Sequence, residues 1–185
     1  AALLILSGSG LAALLAGRWP RWAIRLGAGG AVLGCACGLA AAGRALVATD
    51  RSLVLVAPWP LPFASFTLVL DPLAGFFLLP ILGLSLLAAV YGSEYLRPWS
   101  GRKNLGLAWF CFNLLVASMA LVVAAQNAIL FLLAWEAMSL SSFFLVLFEH
   151  EKPQVREAGW IYLVATHLGT LFLIAFFLVL GQASG

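Results

Sequence analysis

Apolar runs follow one another along this chain, each at or near the length that crosses a bilayer, and the short connections between them hold nearly all the charge. A hydrocarbon core of about 30 Å takes about 20 helical residues. Six runs reach or approach that length, at 1–17, 26–48, 72–92, 105–125, 128–148 and 158–181. Hydrocarbon offers no partner to a free N–H or C=O, so runs of this kind are expected as helices. The expected fold is an all-α integral membrane protein, with residues 1–185 as a single transmembrane domain of six helices. Composition agrees: 64% of residues are hydrophobic and 9% charged, against about half and about a quarter in soluble domains. A soluble enzyme is thereby excluded, and the net charge of +3 needs no nucleic acid to explain it. The first partner is the lipid bilayer.

Markers at the ends of the runs fit this reading. Trp19 and Trp22 suit an interface, Asp71 with Pro72 reads as an N-cap and first-turn proline, Asn104 precedes the fourth run, and Pro153 lies between the last two. The first run opens at Ala1 inside apolar sequence, with neither Met nor a charged leader, and the chain reads as a fragment. Arg18, Arg21, Arg25, Arg97, Arg102, Lys103, Lys152 and Arg156 follow odd-numbered runs, whereas Arg44 and Arg51 flank the connection after the second. Positive residues favour the cytoplasm, which places both chain ends outside.

Residues 49–70 form the one long connection. Ser52–Val56 and Phe66–Leu70 read as short strands around Pro58, Pro60 and Pro62, an extracytoplasmic hairpin or else a segment lying on the lipid surface. In the second run Gly30, Gly34 and Gly38 recur every four residues, with Gly27 nearby, so a neighbouring backbone can approach. Cys35, Cys37 and Cys111 all lie in apolar runs. Their odd number and spacing fit packing better than a disulfide framework or a metal cluster.

A charged side chain at the centre of a membrane helix costs about 2.5–3.5 kcal/mol on insertion scales, so such residues mark function. Glu136 lies near the midpoint of the fifth run and His167 near the middle of the sixth. Counted from the turn they share, with the sixth helix starting at Ala158, their levels differ by roughly 6 Å at about 1.5 Å per residue. That is within reach of a direct bond or one bridging water. Ser139 and Thr170 each follow a titratable residue by three positions. They therefore put a hydroxyl on the same helical face, to hold water or to bond back to their own helix. Asn113 and Ser118 read as interhelical glue. The stretch 149–157 reads as a solvated loop or a docking surface, and no phosphate loop, catalytic triad or cofactor site is recognisable.

Several stretches carry a specific resemblance. Leu70–Phe77 (LDPLAGFF), Asn113 through Ser118 and Met119, Ala134–Val146 (AWEAMSLSSFFLV) and Ala158–Thr170 (AGWIYLVATHLGT) resemble the antiporter-like membrane subunits of NADH:quinone oxidoreductase. Within that family the MSLSS stretch, the FEHE loop and the THLG segment are most similar to the antiporter-like membrane subunit of hydrogenase 4 and its formate hydrogenlyase counterpart. The resemblance covers roughly residues 70–180. It implies a fourteen-helix fold with two inverted five-helix repeats, of which this chain would be the N-terminal part. It also implies that Glu136 matches a glutamate that pairs with a lysine two helices further on. Lys103 and Lys152 are both in loops, so that lysine has no counterpart here.

By the same resemblance the subunit would reside in a prokaryotic cytoplasmic (inner) membrane and translocate protons, or sodium ions. Electron transfer in cytoplasmic redox subunits would drive it, alongside other membrane subunits. The expected proton pathway is Glu136, His167, Ser139 and Thr170, with no cofactor in this chain. Two further readings are a subunit of a multi-subunit sodium/proton antiporter and a non-transporting membrane scaffold.

Overall fold

The computed structural model describes residues 1–47, 53–59 and 65–184. Its helices are α1 (Ala2–Leu15), α2 (Pro20–Val47), α3 (Pro72–Tyr95), α4 (Leu105–Ala124), α5 (Ala128–Val146) and α6 (Pro153–Ser184). Two strands, β1 (Leu53–Ala57) and β2 (Phe66–Leu70), stand between α2 and α3. Among the described residues, five helices are long and apolar enough to cross a membrane, all but α1. The expectation of six spans therefore stands at five plus a 14-residue α1 followed by one 3₁₀ turn at Ala16–Arg18.

Two helices begin earlier than the apolar runs suggested. α2 starts at Pro20 rather than 26, and α6 at Pro153 rather than 158. Both open on proline, whose ring presets the helical φ and whose missing N–H costs nothing in the first turn. Behind Pro20, the Trp19 carbonyl accepts from Trp22 and Ala23. Behind Pro153, the Lys152 carbonyl accepts from Val155 and Arg156. Counting apolar residues stops at Arg21, Arg25 and Arg156, but a helix continues through long basic side chains that carry their charge outward to water. The other starts follow their caps. Asp71 accepts from Ala74 N–H at 2.7 Å, Asn104 from Leu107 N–H at 3.1 Å, and Asn127 from Ile129 N–H at 2.9 Å.

β1 and β2 pair antiparallel, Leu53 opposite Leu70 and Ala57 opposite Phe66. The first strand runs one residue later than expected. Ser52, Pro60 and Pro62 lie outside the described residues. The pair docks on the α4–α5 connection, where Leu68 bridges Ala125 and the Gln126 amide donates to the Thr67 carbonyl at 3.1 Å. One end of the bundle thus holds the strands and the other the three basic connections.

The core lies among α1–α4. Leu6, Cys35, Ala42, Leu78, Leu82 and Val116 form one buried cluster, and Ala13, Ala28, Ala31, Ala89 and Trp109 a second. Cys35 and Cys111 are buried as expected, whereas Cys37 is exposed and packs no core. The α2 glycines meet side chains rather than a bare backbone: a Cβ on Gly27 would stand 2.4 Å from Trp109 Cβ, and one on Gly30 2.0 Å from Ser9 Cβ. Close backbone approach occurs instead at Gly106, where a Cβ would lie 2.4 Å from the Ala13 carbonyl oxygen. Asn113, wholly buried, joins three helices. Its Nδ2 donates to the Gly27 carbonyl at 3.1 Å and the Trp109 carbonyl at 2.9 Å, and its Oδ1 accepts from Ser9 Oγ at 3.4 Å.

At the basic end, Lys103 is not a freely solvated loop residue. Its side chain is 10% exposed, and Nζ lies over the Trp99 and Phe148 rings at 5.7 and 5.4 Å. It donates to the Phe148 carbonyl at 2.7 Å and to the Glu151 carboxylate. This clamp ties the α3–α4 connection to the α5–α6 connection. The Lys103 hydrogen bond holds the Glu151 carboxyl below the usual carboxylate range.

Two outcomes follow. Gly27→Ala should destabilise the protein by about 1–3 kcal/mol, because the new methyl meets a Cβ that cannot rotate away. Gly29→Ala, with nothing within 4 Å of the added carbon, should be neutral or stabilising; unfolding in detergent compares the two. For Glu151 the folded-state pKa is depressed, so its contribution is present above the ordinary value of 4.5 and fades as pH falls through the folded value. Thermal melts from pH 7 to 3 should show a steeper acid loss in the parent than in Glu151→Gln.

Candidate functional site

α5 and α6 run antiparallel from the turn at 147–152, and the early start of α6 brings the titratable residues level. From Glu149 back to Glu136 is thirteen residues and from Pro153 on to His167 fourteen, each roughly 20 Å at about 1.5 Å per residue. The 6 Å offset expected from a start at Ala158 therefore disappears. His167 Nε2 stands 3.8 Å from Glu136 Oε2.

The protonation pattern of the imidazole follows from its other contact. His167 Nδ1 lies 2.9 Å from the Leu163 carbonyl oxygen, which can only accept, so Nδ1 carries a hydrogen. Neutral His167 then presents the Nε2 lone pair to Glu136. A carboxylate oxygen and a lone-pair nitrogen, both acceptors, thus face each other across the gap.

The two hydroxyls expected beside this pair differ. Thr170 bonds back to the Thr166 carbonyl at 3.2 Å, the ordinary arrangement for threonine in a membrane helix. Ser139 does not bond back: its Oγ is buried and has no partner among the described residues. Neighbouring Ser141 bonds to the Ala137 carbonyl, and Ser142 bonds to the Ser139 carbonyl at 3.1 Å. Residue counting missed a further polar link between the helices, the contact of Ser142 Oγ with the Tyr162 hydroxyl. The signal was available, since a tyrosine inside an apolar span needs a partner for its O–H.

The side chains of Glu136 and His167 are 30% and 48% exposed on the surface of this chain. α6 contributes little to the core, with Ile161, Leu168, Leu171 and Phe172 all exposed. Asn113 and Ser118 are buried in α4, and Asn113 makes the interhelical bonds described above. Among the described residues no three His, Cys, Asp or Glu side chains gather as a metal site would require.

Comparison with known proteins agrees with this architecture. Residues 125–185, which include α5 and α6, match the family model described as NADH:quinone oxidoreductase/Mrp antiporter, TM. The chain is 34% identical over 126 residues to hydrogenase-4 component B of Escherichia coli (strain K12), covering 68% of this chain and 18% of that protein. It is 35% identical over 109 residues to NADH-quinone oxidoreductase subunit L of the same organism, covering 58% and 17%. The fold matches a chain of the Mrp complex from Dietzia sp. with a TM-score of 0.73 and 28% identity, over 94% of this chain and 18% of that one. The chain thus spans less than a fifth of the length of these relatives. Within that span, its apolar helices, the α5–α6 pairing and these similarities make it a multi-pass membrane protein of the NADH:quinone oxidoreductase/Mrp antiporter family.

Proposed function

We propose that this chain is part of a proton-translocating membrane subunit of a respiratory-type oxidoreductase complex, of the hydrogenase 4 or NADH:quinone oxidoreductase kind. The observation that carries the reading is the pair formed by Glu136 and His167 at 3.8 Å between two apolar helices. Ionisable groups held at that depth belong to proton relays and ion pathways. Similarity to hydrogenase-4 component B and to NADH-quinone oxidoreductase subunit L supports the complex. In this reading cytoplasmic redox subunits perform the electron transfer, other membrane subunits flank the chain, and no cofactor is held here. The protein sits in a prokaryotic inner membrane with its basic connections in the cytoplasm and its N-terminus outside.

The mechanism rests on a proton passed between Glu136 Oε2 and His167 Nε2, which face each other at 3.8 Å. A cation brought near Glu136 favours the carboxylate and drives the proton to His167 Nε2 or onward. Withdrawal of the cation favours reprotonation. Ser139, with a buried and unpartnered hydroxyl, supplies a donor and an acceptor beside the carboxyl for a hydrated step. Thr170 lines the same face of α6 with its hydroxyl engaged and has a structural part. The second reading, a subunit of a sodium/proton antiporter, is favoured by the match of 94% of the chain to an Mrp complex.

Glu136→Gln in the full-length protein should leave assembly intact and cut coupled proton uptake by membrane vesicles roughly a hundredfold, the low end of what a positioned proton-transfer group contributes. Unchanged uptake would remove Glu136 from the pathway. His167→Asn should retain uptake but displace its pH profile, because the group sharing the proton is gone. A profile identical to the parent's would reduce His167 to packing. Sodium-dependent uptake without any electron donor would favour the antiporter reading.

A further inference from the structure

The basic end of the bundle holds a cavity outside the α5–α6 site. Arg21 and Arg25, one turn apart on α2, face Arg97 and Ser100 from the connection after α3. With Ile24 they line a space of about 460 Å³. Among the described residues neither Arg21 nor Arg25 has an acidic partner. Arg97 pairs with Glu94 at 3.0 Å, an exposed i,i+3 contact of the weak kind. Three guanidinium groups thus converge on one space with a single carboxylate beside them.

Apolar surface reaches the cavity at the contact between Arg25 and Trp22. Trp22, whose ring lies 5.7 Å from the Arg25 guanidinium carbon, forms with Ala16, Trp19 and Leu26 the wall of a second groove of about 360 Å³ on the same helix. Both tryptophans are exposed, as are Tyr91 and Tyr95 at the same end of α3. Rings of this kind settle at the headgroup level of a membrane. The arginines therefore lie at the depth of lipid phosphates, with the apolar groove beside them.

We propose that this cavity binds the phosphate of an anionic phospholipid, held by Arg21, Arg25 and Arg97, with an acyl chain along Trp19, Trp22 and Leu26. Guanidinium forks match phosphate oxygens two at a time. Basic pockets between transmembrane helices on the more positive side of a membrane protein suit anionic headgroups. Charge complementarity selects the headgroup, and the apolar groove reached past Trp22 selects a lipid over a free anion.

The test uses the full-length protein in neutral detergent, titrated with dioleoyl phosphatidylglycerol or dioleoyl phosphatidylcholine and read by native mass spectrometry. Phosphatidylglycerol should bind more tightly. The double variant Arg21→Gln/Arg25→Gln should weaken it roughly twenty- to thirtyfold, from the usual contribution of two basic residues at an anionic surface. Arg44→Gln, at the far end of α2, should bind as the parent does. Trp22→Ala should weaken the lipid without affecting competition by inorganic phosphate. Where the double glutamine variant does not fold, Arg21→Lys/Arg25→Lys keeps the charge, removes the fork, and should still bind more weakly than the parent. Equal affinity for the two lipids, or undiminished phosphatidylglycerol binding by whichever of the two double variants folds, would overturn the proposal. So would inorganic phosphate competing as strongly as the lipid binds, since a free-anion site would then account for the arginines.

Discussion

The cost of taking polar groups out of water governs this molecule from backbone to site. It makes the apolar runs helical, because a helix pairs its own N–H and C=O groups where the lipid cannot. It places Asp71, Asn104 and Asn127 at helix starts, where their carbonyl or carboxyl oxygens accept from first-turn amides. The same cost separates two kinds of intramembrane polar residue. Asn113 is wholly buried and bonded on both ends of its amide, so it fastens α1, α2 and α4 and has no capacity left for chemistry. Glu136 is held near His167 at a distance longer than a hydrogen bond, and Ser139 beside it is unpartnered. A satisfied group is a rivet; an unsatisfied titratable group can exchange a proton with what comes near.

Much of this was legible in the residues themselves, and each failure has a physical cause. Hydropathy locates the centres of spans, so Glu136 and His167 could be placed in mid-membrane from sequence. It locates ends poorly, because α2 and α6 continue through Arg21, Arg25 and Arg156 into the headgroup region. The error at Pro153 then propagated to the relative depth of Glu136 and His167. Correcting the helix start alone removes the offset. Lys103 was illegible for a different reason: its aromatic and carboxylate partners, Phe148 and Glu151, are about 45 residues away in sequence, and no local pattern links them. The α2 glycine spacing did indicate close packing, but whether a backbone or the side chain of Trp109 would enter the gap depends on the neighbour.

The bundle is also asymmetric along its axis. The strand pair covers the α4–α5 connection at one end, while arginines, Lys103 and interfacial aromatic residues crowd the other. Glu136 and His167 sit between, about 20 Å from the basic turn, so a proton moving between them and that side must cross several turns of helix. The exposed apolar face of α6 makes the surroundings of His167, including whatever covers that face in the assembled membrane, part of its chemistry.

Proton and sodium place different demands on such a pair. A sodium ion needs several oxygen ligands, as other hard cations do. At Glu136 the contact seen in this chain is an imidazole nitrogen, His167 Nε2, 3.8 Å from the carboxylate. Neutral imidazole is a poor ligand for a hard cation, and protonated imidazole repels it. A proton, by contrast, needs only the two facing acceptors, Oε2 and Nε2, and the Leu163 carbonyl that fixes the tautomer. The geometry of the pair thus fits a proton in the proposed mechanism, within a family whose description includes Mrp antiporters.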